Sequence, residues 1–385
     1  MPLNSYPYSV SDGKCLEHVY KFVPDRLIDL DSLNDRNIYY LVVLHAYHHV
    51  SLTVKDSGTT GVIDGSNAYA GIQMTVNSSD TDETKKATLV VMSGTIQGFY
   101  YGISGNGKRH NTEVTVAGGT VKGTNADNSF GIYNPQNGKL TITGGVVEGA
   151  SGVGVKSGTV SFIGGDAVIR ATRSSAAPYK YQSSGIECTG DALVIDNCGY
   201  PGSEGFNVSI SGGTFESAAG KAVASYVKQD DPTKTGDYPR IEHFIPGGQF
   251  SNIVPENLCA VGYVPVYVKE GDYYGVTPGT FVAHITTWAE KNGFTNLAEA
   301  VAAAQDNDTI TLDTDVALDE TVSVAATGNA IVLDLNGFVV SNATAMTGSS
   351  LFEVTGGTLT LTNGDLTAYG IVAAKVSFTD VLPIL

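Results

Sequence analysis

Three stretches decide the fold: TLVVMSGTIQG over residues 88–98, EVTVAGGTVKG over 113–123 and LTITGGVVEG over 140–149. Each begins as a short strand with alternating apolar and polar residues, breaks at Gly-Gly or Ser-Gly, and resumes as a second short strand. The cassette returns as VSFIGGDAVI from Val160, VSISGGTFES from Val208 and FIPGGQFSN from Phe244. The second glycines, Gly94, Gly119, Gly145, Gly165, Gly213 and Gly248, fall 25, 26, 20, 48 and 35 residues apart. The gap of 48 predicts two periods, with a further unit near GIECTGDALVIDNC, and the gap of 35 predicts one period plus the insertion KQDDPTKTGDYP. The underlying period is then 20 to 26 residues.

A unit of that size holds two or three strands of a few residues each. Glycine permits the sharp corner, or positive φ, that other side chains resist. Val, Ile, Leu and Phe occupy the inward positions and Thr, Ser and Lys the outward ones, a period of two. One such unit cannot bury its apolar face alone, whereas stacked units can. Leucine-rich repeats would carry a fixed Leu ladder with helical halves, and a propeller would carry longer units with a recurring aromatic signature. The pattern predicts an all-β chain built as a right-handed parallel β-helix, in two consecutive β-helical segments with a capping helix between them.

The segments divide as follows. Residues 1–45 form an N-terminal segment, a diverged cap or docking region, and 46–250 the first β-helix. Residues 251–280 form a closing hairpin, VPVYVKEGDYYGV, with Glu270, Gly271 and Asp272 at its turn. Residues 281–305 hold a linker and the helix FTNLAEAVAAAQ, with Thr295 or Asn296 as N-cap and Phe294, Leu297, Ala300, Val301 and Ala304 on one face. Residues 306–385 form a second, incomplete β-helix, whose end at Leu385 predicts a longer chain or a covering partner.

Several blocks resemble the pectate-lyase-like β-helix repeats of large surface proteins of gut Firmicutes, and of related phage fibres. FTNLAEAVAAAQDNDTITLDTDVALDETVSV with IVLDLNG is similar to the opening of such a domain, LTVKDSGTTGVIDG from Leu52 to the segment after it, and VSISGGTFES and GYVPVYVKEGDYYGV to its later coils and close. The likeness spans residues 50–385. IDLDSLNDRNIYYLVVL, within the first 45 residues, is at best a diverged opening. The resemblance implies an exposed adhesive or structural role without catalysis.

Composition narrows the classes. Net charge is −17, with 22 Lys and Arg against 39 Asp and Glu. That disfavours nucleic acid, whose phosphates demand cations, and anionic lipid. No run of 18 apolar residues exists to insert in a membrane. Glycine supplies 46 of 385 residues and charged residues only 16%, which suits a β-rich exposed protein. The start, MPLNSYPYSVSDGK, lacks a basic secretory n-region, so the chain is expected to have lost a signal or to reach its site without one. Cys15, Cys188, Cys198 and Cys259 form no metal or redox motif. Cys188 and Cys198 pair as a disulfide or stand as small buried thiols.

Candidate chemistry is sparse. Asp127, Glu148, Asp166, Glu187, Asp191, Asp196 and Glu204 are scattered, without the facing carboxylate pair that glycoside hydrolysis needs. His45, His48 and His49 stand close in sequence, but successive residues of a strand point to opposite faces. Asp80, Asp82 and Glu83 lack the glycine spacing of a calcium loop, and SGNGKRHN is not a phosphate loop. No cofactor and no metal site is implied. Arg170 and Arg173, near Lys180, form a candidate basic patch for an acidic glycan. Tyr101, Tyr133 and Tyr181 on one side of successive coils, with Tyr179 beside them, would make an aromatic ladder for sugar rings; otherwise these tyrosines cap corners and rims.

The expected function is a non-enzymatic extracellular adhesin or stalk, exposed on a cell or virion surface, that binds a host or bacterial surface glycan or protein. A phage fibre or head-decoration protein, trimeric or otherwise oligomeric, is the second reading. A polysaccharide lyase or glycoside hydrolase is the third.

Overall fold

The computed structural model describes residues 52–56, 61–74, 86–105, 112–200, 205–268, 271–288, 293–325, 330–342 and 350–364 in full. It describes residues 5–8, 17–20, 26–29, 51, 292, 365–366, 372–373 and 376–379 by their backbone. His45, His48, His49, Asp80, Asp82, Glu83, Glu270 and Cys15 lie outside them. The chain divides into two compact units, Met1–Ala260 and Val261–Leu385. Strand dominates both, most pairing is parallel, and one α-helix is present among the described residues. No helix among them is long and apolar enough to cross a membrane.

In the first unit each cassette pairs in register with the next. Leu52, Leu89, Val114, Leu140, Val160 and Val208 stand opposite one another along one row. Ile63, Ile96, Val121, Val147, Ile169, Phe215 and Phe250 form a second row. In a separate sheet Ile72, Ile103, Ile132, Val153, Leu193 and Val223 form a third. All of these side chains are buried, each contributing roughly 1.5–3 kcal/mol. Alternation thus sends one residue in two to a shared interior.

The outward positions make a row of their own. Asp64, Gln97, Lys122, Glu148, Arg170 and Glu216 face successive neighbours. Gln97 Nε2 donates to Asp64 Oδ1 at 2.7 Å. Arg170 bridges both of its neighbours, Nε to Glu216 at 2.7 Å and Nη1 to Glu148 at 3.3 Å.

Corner glycines behave largely as their spacing predicts. Gly94, Gly119, Gly145, Gly213 and Gly248 take positive φ. The fourth corner differs: Gly164, not Gly165, has φ 86°. The strand Thr159–Ala171 carries two extra residues here, since Ile142 pairs Phe162 but Gly144 pairs Asp166. That bulge moves the corner. The gap of 48 also needs correction. Asn207 pairs directly with Thr159, and Thr214 with Val168. This sheet therefore gains no additional rung; the extra length is an irregular excursion over residues 172–192 that leads into the strand Leu193–Asn197. Cys188 and Cys198 are buried free thiols.

The second unit opens with an antiparallel hairpin, Tyr263–Val268 against Tyr273–Pro278. The helix Leu297–Ala303 follows, with the Asn296 side chain accepting from Ala298 N at 2.7 Å as N-cap. Phe294, Leu297, Ala300, Val301 and Ala304 are buried as a face, and the helix packs against the strand Val322–Val324. Asp308 anchors the entry, accepting from Thr287 Oγ1, Trp288 Nε1 and Gln305 N at 2.6, 2.8 and 2.7 Å. Three sheets then carry parallel pairs: Ile310 with Leu333 and Leu333 with Leu361, Val316 with Val340, and Val322 with Phe352.

Candidate functional site

The 172–192 excursion departs from regular stacking and carries a cleft. It lies over the turn Asn125–Asn128 and the start of the strand Tyr101–Gly105. The turn is fixed by its own polar groups. Asn125 Oδ1 accepts from Asp127 N and Asn128 N at 3.0 Å each, and Ser129 Oγ donates to Asn125 O at 2.6 Å. Ser129 Oγ also accepts from Ala150 N, tying the turn to the next rung.

Tyr101, Asp127, Asn128, Arg173, Gln182 and Glu187, with the Ser184 hydroxyl, supply polar lining to this cleft, whose volume is about 430 Å³. The Tyr101 ring is supported from behind, stacked on Tyr133 with centroids 5.1 Å apart and planes at 25°. Tyr69 meets it edge-on at 5.1 Å. Burial, then the neighbouring Tyr69, pushes the Tyr101 hydroxyl upward, so it stays a neutral donor. Arg173 Nη1 donates to Cys188 O at 2.5 Å, which holds the guanidinium against the excursion, and its Nε has no partner. Glu187 accepts from Gln182 Nε2 at 2.8 Å. The lining therefore offers one aromatic face, two carboxylates, one guanidinium, two amides and the Ser184 hydroxyl. Such a set suits hydroxyl-rich ligands: planar polar groups chelate adjacent hydroxyls and the ring covers an apolar sugar face.

The six residues singled out from sequence are distributed unevenly. Tyr101 and Arg173 meet in the cleft. Tyr133 lies beneath Tyr101, only 4% exposed, and stands opposite Ser104, while Tyr101 stands opposite Phe130. These two tyrosines stack but do not share a rung. Tyr179 is buried; its ring stacks on Tyr226 at 4.5 Å and 8°, and its hydroxyl donates to Asp196 Oδ1 at 2.7 Å. Burial and the Asp196 charge push this phenol upward, and burial with Asp191 does the same to Tyr226. Tyr181 is half-buried. Its amide donates to Asp231 Oδ2 at 3.1 Å, and the Lys228 ammonium stands 4.9 Å from its ring centroid. Arg170 belongs to the outward charge row, flanked by carboxylates on both sides, and offers an incoming anion little net positive charge.

Asp127, Asn128, Gln182 and Glu187 complete the cleft and were not singled out as a group from sequence. Their signal was the interrupted glycine spacing, which marked the excursion but not its contents. Among the described residues no group of three His, Cys, Asp or Glu side chains stands close enough to hold a metal ion. No family model, no curated protein and no solved structure matches the chain.

Proposed function

We propose that the chain is a non-enzymatic, surface-exposed protein that binds a glycan, built as two consecutive right-handed parallel β-helical segments of the pectate-lyase-like kind. In-register parallel pairing of each repeat with the next supports that architecture, and parallel crossovers are right-handed in about 98% of cases. The single observation that carries the functional reading is the cleft that brings Tyr101 and Arg173 together with Asp127, Gln182 and Glu187. With two carboxylates against one guanidinium, it favours a neutral or amino-bearing sugar over a uronate. An extracellular setting, as adhesin or stalk, follows from the low charge content and the resemblance of its repeats.

A glycan array followed by calorimetry on the hits tests this. Tyr101→Ala and Arg173→Ala are each expected to weaken binding about tenfold or more, since a lost stacking or charge-assisted contact is worth about 1.5–3 kcal/mol. Affinity unchanged in both variants overturns the reading. One observation favours a second reading as a glycoside hydrolase: Asp127 and Glu187 line the same cleft, and such enzymes use paired carboxylates. Reducing ends released by the wild type, but not by Asp127→Asn or Glu187→Gln, would establish it.

A further inference from the structure

A lysine and an aspartate face one another in the interior of the first unit. Lys156 follows the strand Ser151–Val155, and Asp196 lies in the strand Leu193–Asn197. These strands pair in parallel with Val155 opposite Ile195, which brings the next residues, Lys156 and Asp196, side by side. Both side chains are 0% exposed, and Nζ stands 3.4 Å from Oδ2. A buried ion pair is sustained when its remaining protons and lone pairs are satisfied. Here Asp196 Oδ2 has no hydrogen-bond partner.

The surroundings are arranged around one atom. Lys156 Nζ donates to the carbonyl oxygens of Gln182 and Gly185, 2.8 Å each. A neutral amine has two hydrogens and one lone pair. With both hydrogens held by those carbonyls, the lone pair is left for Asp196, 3.4 Å away; the Tyr200 ring centroid stands 4.7 Å from Nζ. The other carboxyl oxygen, Oδ1, accepts the Tyr179 hydroxyl at 2.7 Å. The thiol of nearby Cys198 is pushed up to about 11 by burial and by Asp196; it keeps its proton and leaves the amine as the nucleophile.

We propose that Lys156 and Asp196 are joined by an isopeptide bond that the folded chain forms unaided. Transfer of the third ammonium proton from Nζ to Oδ2 turns the ion pair into an amine and a carboxylic acid. The Nζ lone pair then attacks Cγ. Negative charge develops on Oδ1, where the Tyr179 hydroxyl is already placed to stabilise it. The Cγ–Oδ2 bond breaks, and Oδ2 leaves as water with its own proton and one from Nζ. One N–C bond forms, one C–O bond breaks, and neither oxidant nor cofactor is consumed. The product staples two adjacent rungs across the 172–192 excursion, where regular stacking is interrupted.

The whole chain is digested after denaturation and its peptides are mapped by tandem mass spectrometry. The expected result is a branched peptide carrying both Lys156 and Asp196, lighter than the two separate peptides by one water. Lys156→Arg is expected to abolish it, and Tyr179→Phe to slow its appearance about 100-fold, as loss of one oxyanion donor does. The decisive reading is made on the wild-type chain, so a variant that fails to fold does not blur it. Wild-type chain yielding only the separate Lys156 and Asp196 peptides overturns the proposal and leaves an ordinary ion pair.

Discussion

The two units differ in the residues that turn their corners. In the first the corner residue is glycine, with φ of 82°, 75° and 78° at Gly94, Gly119 and Gly145. Successive corners there are crowded: a Cβ on Gly145 would fall 2.6 Å from Gly119 O. In the second unit asparagine shares the positive φ with glycine: 67° at Asn307, 50° at Asn336 and 55° at Asn363, beside 81° at Gly337 and 72° at Gly357. The Asn336 corner leaves room, for a Cβ on the adjacent Gly337 would meet nothing within 4 Å, whereas one on Gly364, beside Asn363, would fall 2.3 Å from Leu335 Cβ. The amide is put to use as well. Asn336 Nδ2 donates to Leu312 O and Asn363 Nδ2 to Asp334 Oδ1, both at 3.1 Å and both reaching back to the preceding rung. The same left-handed backbone is reached by glycine in both units, and in the second also by asparagines whose amides are hydrogen-bonded.

The largest expected effect separates the units by how the second covers its interior. Leu297 is 1% exposed within the helix face. Leu297→Asp buries an unpaired charge and is expected to destabilise the second unit by about 3–5 kcal/mol. Trp288, the only tryptophan in the chain, packs against that core and stands edge-on to Phe294 at 6.3 Å. Its fluorescence during thermal unfolding reads the result, and a transition left in place would remove the helix from the account of this core.

Next come the corners themselves. Gly145→Val is expected to cost about 3 kcal/mol, combining strain with overpacking. Gly337→Val meets strain alone and is expected to cost about 1–2 kcal/mol. Denaturant midpoints of the two variants, each against the wild type, check the order. Equal costs would mean that crowding does not distinguish the corners.

The smallest effect is electrostatic and belongs to the first unit. Burial alone would raise the Asp230 carboxyl, but the Arg240 guanidinium at 2.8 Å and the Val227 amide hold it below its ordinary value. A carboxyl lowered in the folded state contributes stability above its unfolded value, near 4, and loses it as pH falls through the folded one. The pair is partly solvated, so Asp230→Asn is expected to cost about 0.5–1 kcal/mol at pH 7. The difference from wild type should fade as pH falls from 7 into acid, below the ordinary carboxyl value of about 4. Urea unfolding at the two pH values reads it, and a cost that persists in acid would assign Asp230 a packing role instead.

Much of the fold was legible because its demands are local. Alternation along Leu89, Val91 and Val114 needs only a period of two, and the corner glycines need only positive φ. The helix was legible from Asn296 and the spacing of Leu297, Ala300 and Val301. The gap between Gly165 and Gly213 was misread because spacing alone does not distinguish another rung from an excursion; the pairing of Thr159 with Asn207 makes that distinction. The site was less legible for the same reason. Asp127 and Glu187 are distant in sequence and meet only because the excursion folds over the Asn125 turn. Lys156 carries no signal in the sequence; its partner Asp196 is set beside it only by the pairing of Val155 with Ile195.

The outward row from Asp64 to Glu216 has a consequence for assembly. Repeats this similar invite a strand to dock one step out of order, because the interior rows accept Val, Ile or Leu almost interchangeably. The row discriminates where the core does not. Leaving out one rung would set Lys122 against Arg170, or Glu148 against Glu216, and like charges directly opposite are destabilising. The alternation of sign thus works as a counting device: it tells a growing stack which repeat comes next, and a shuffled stack is penalised at its surface before its interior has registered the error.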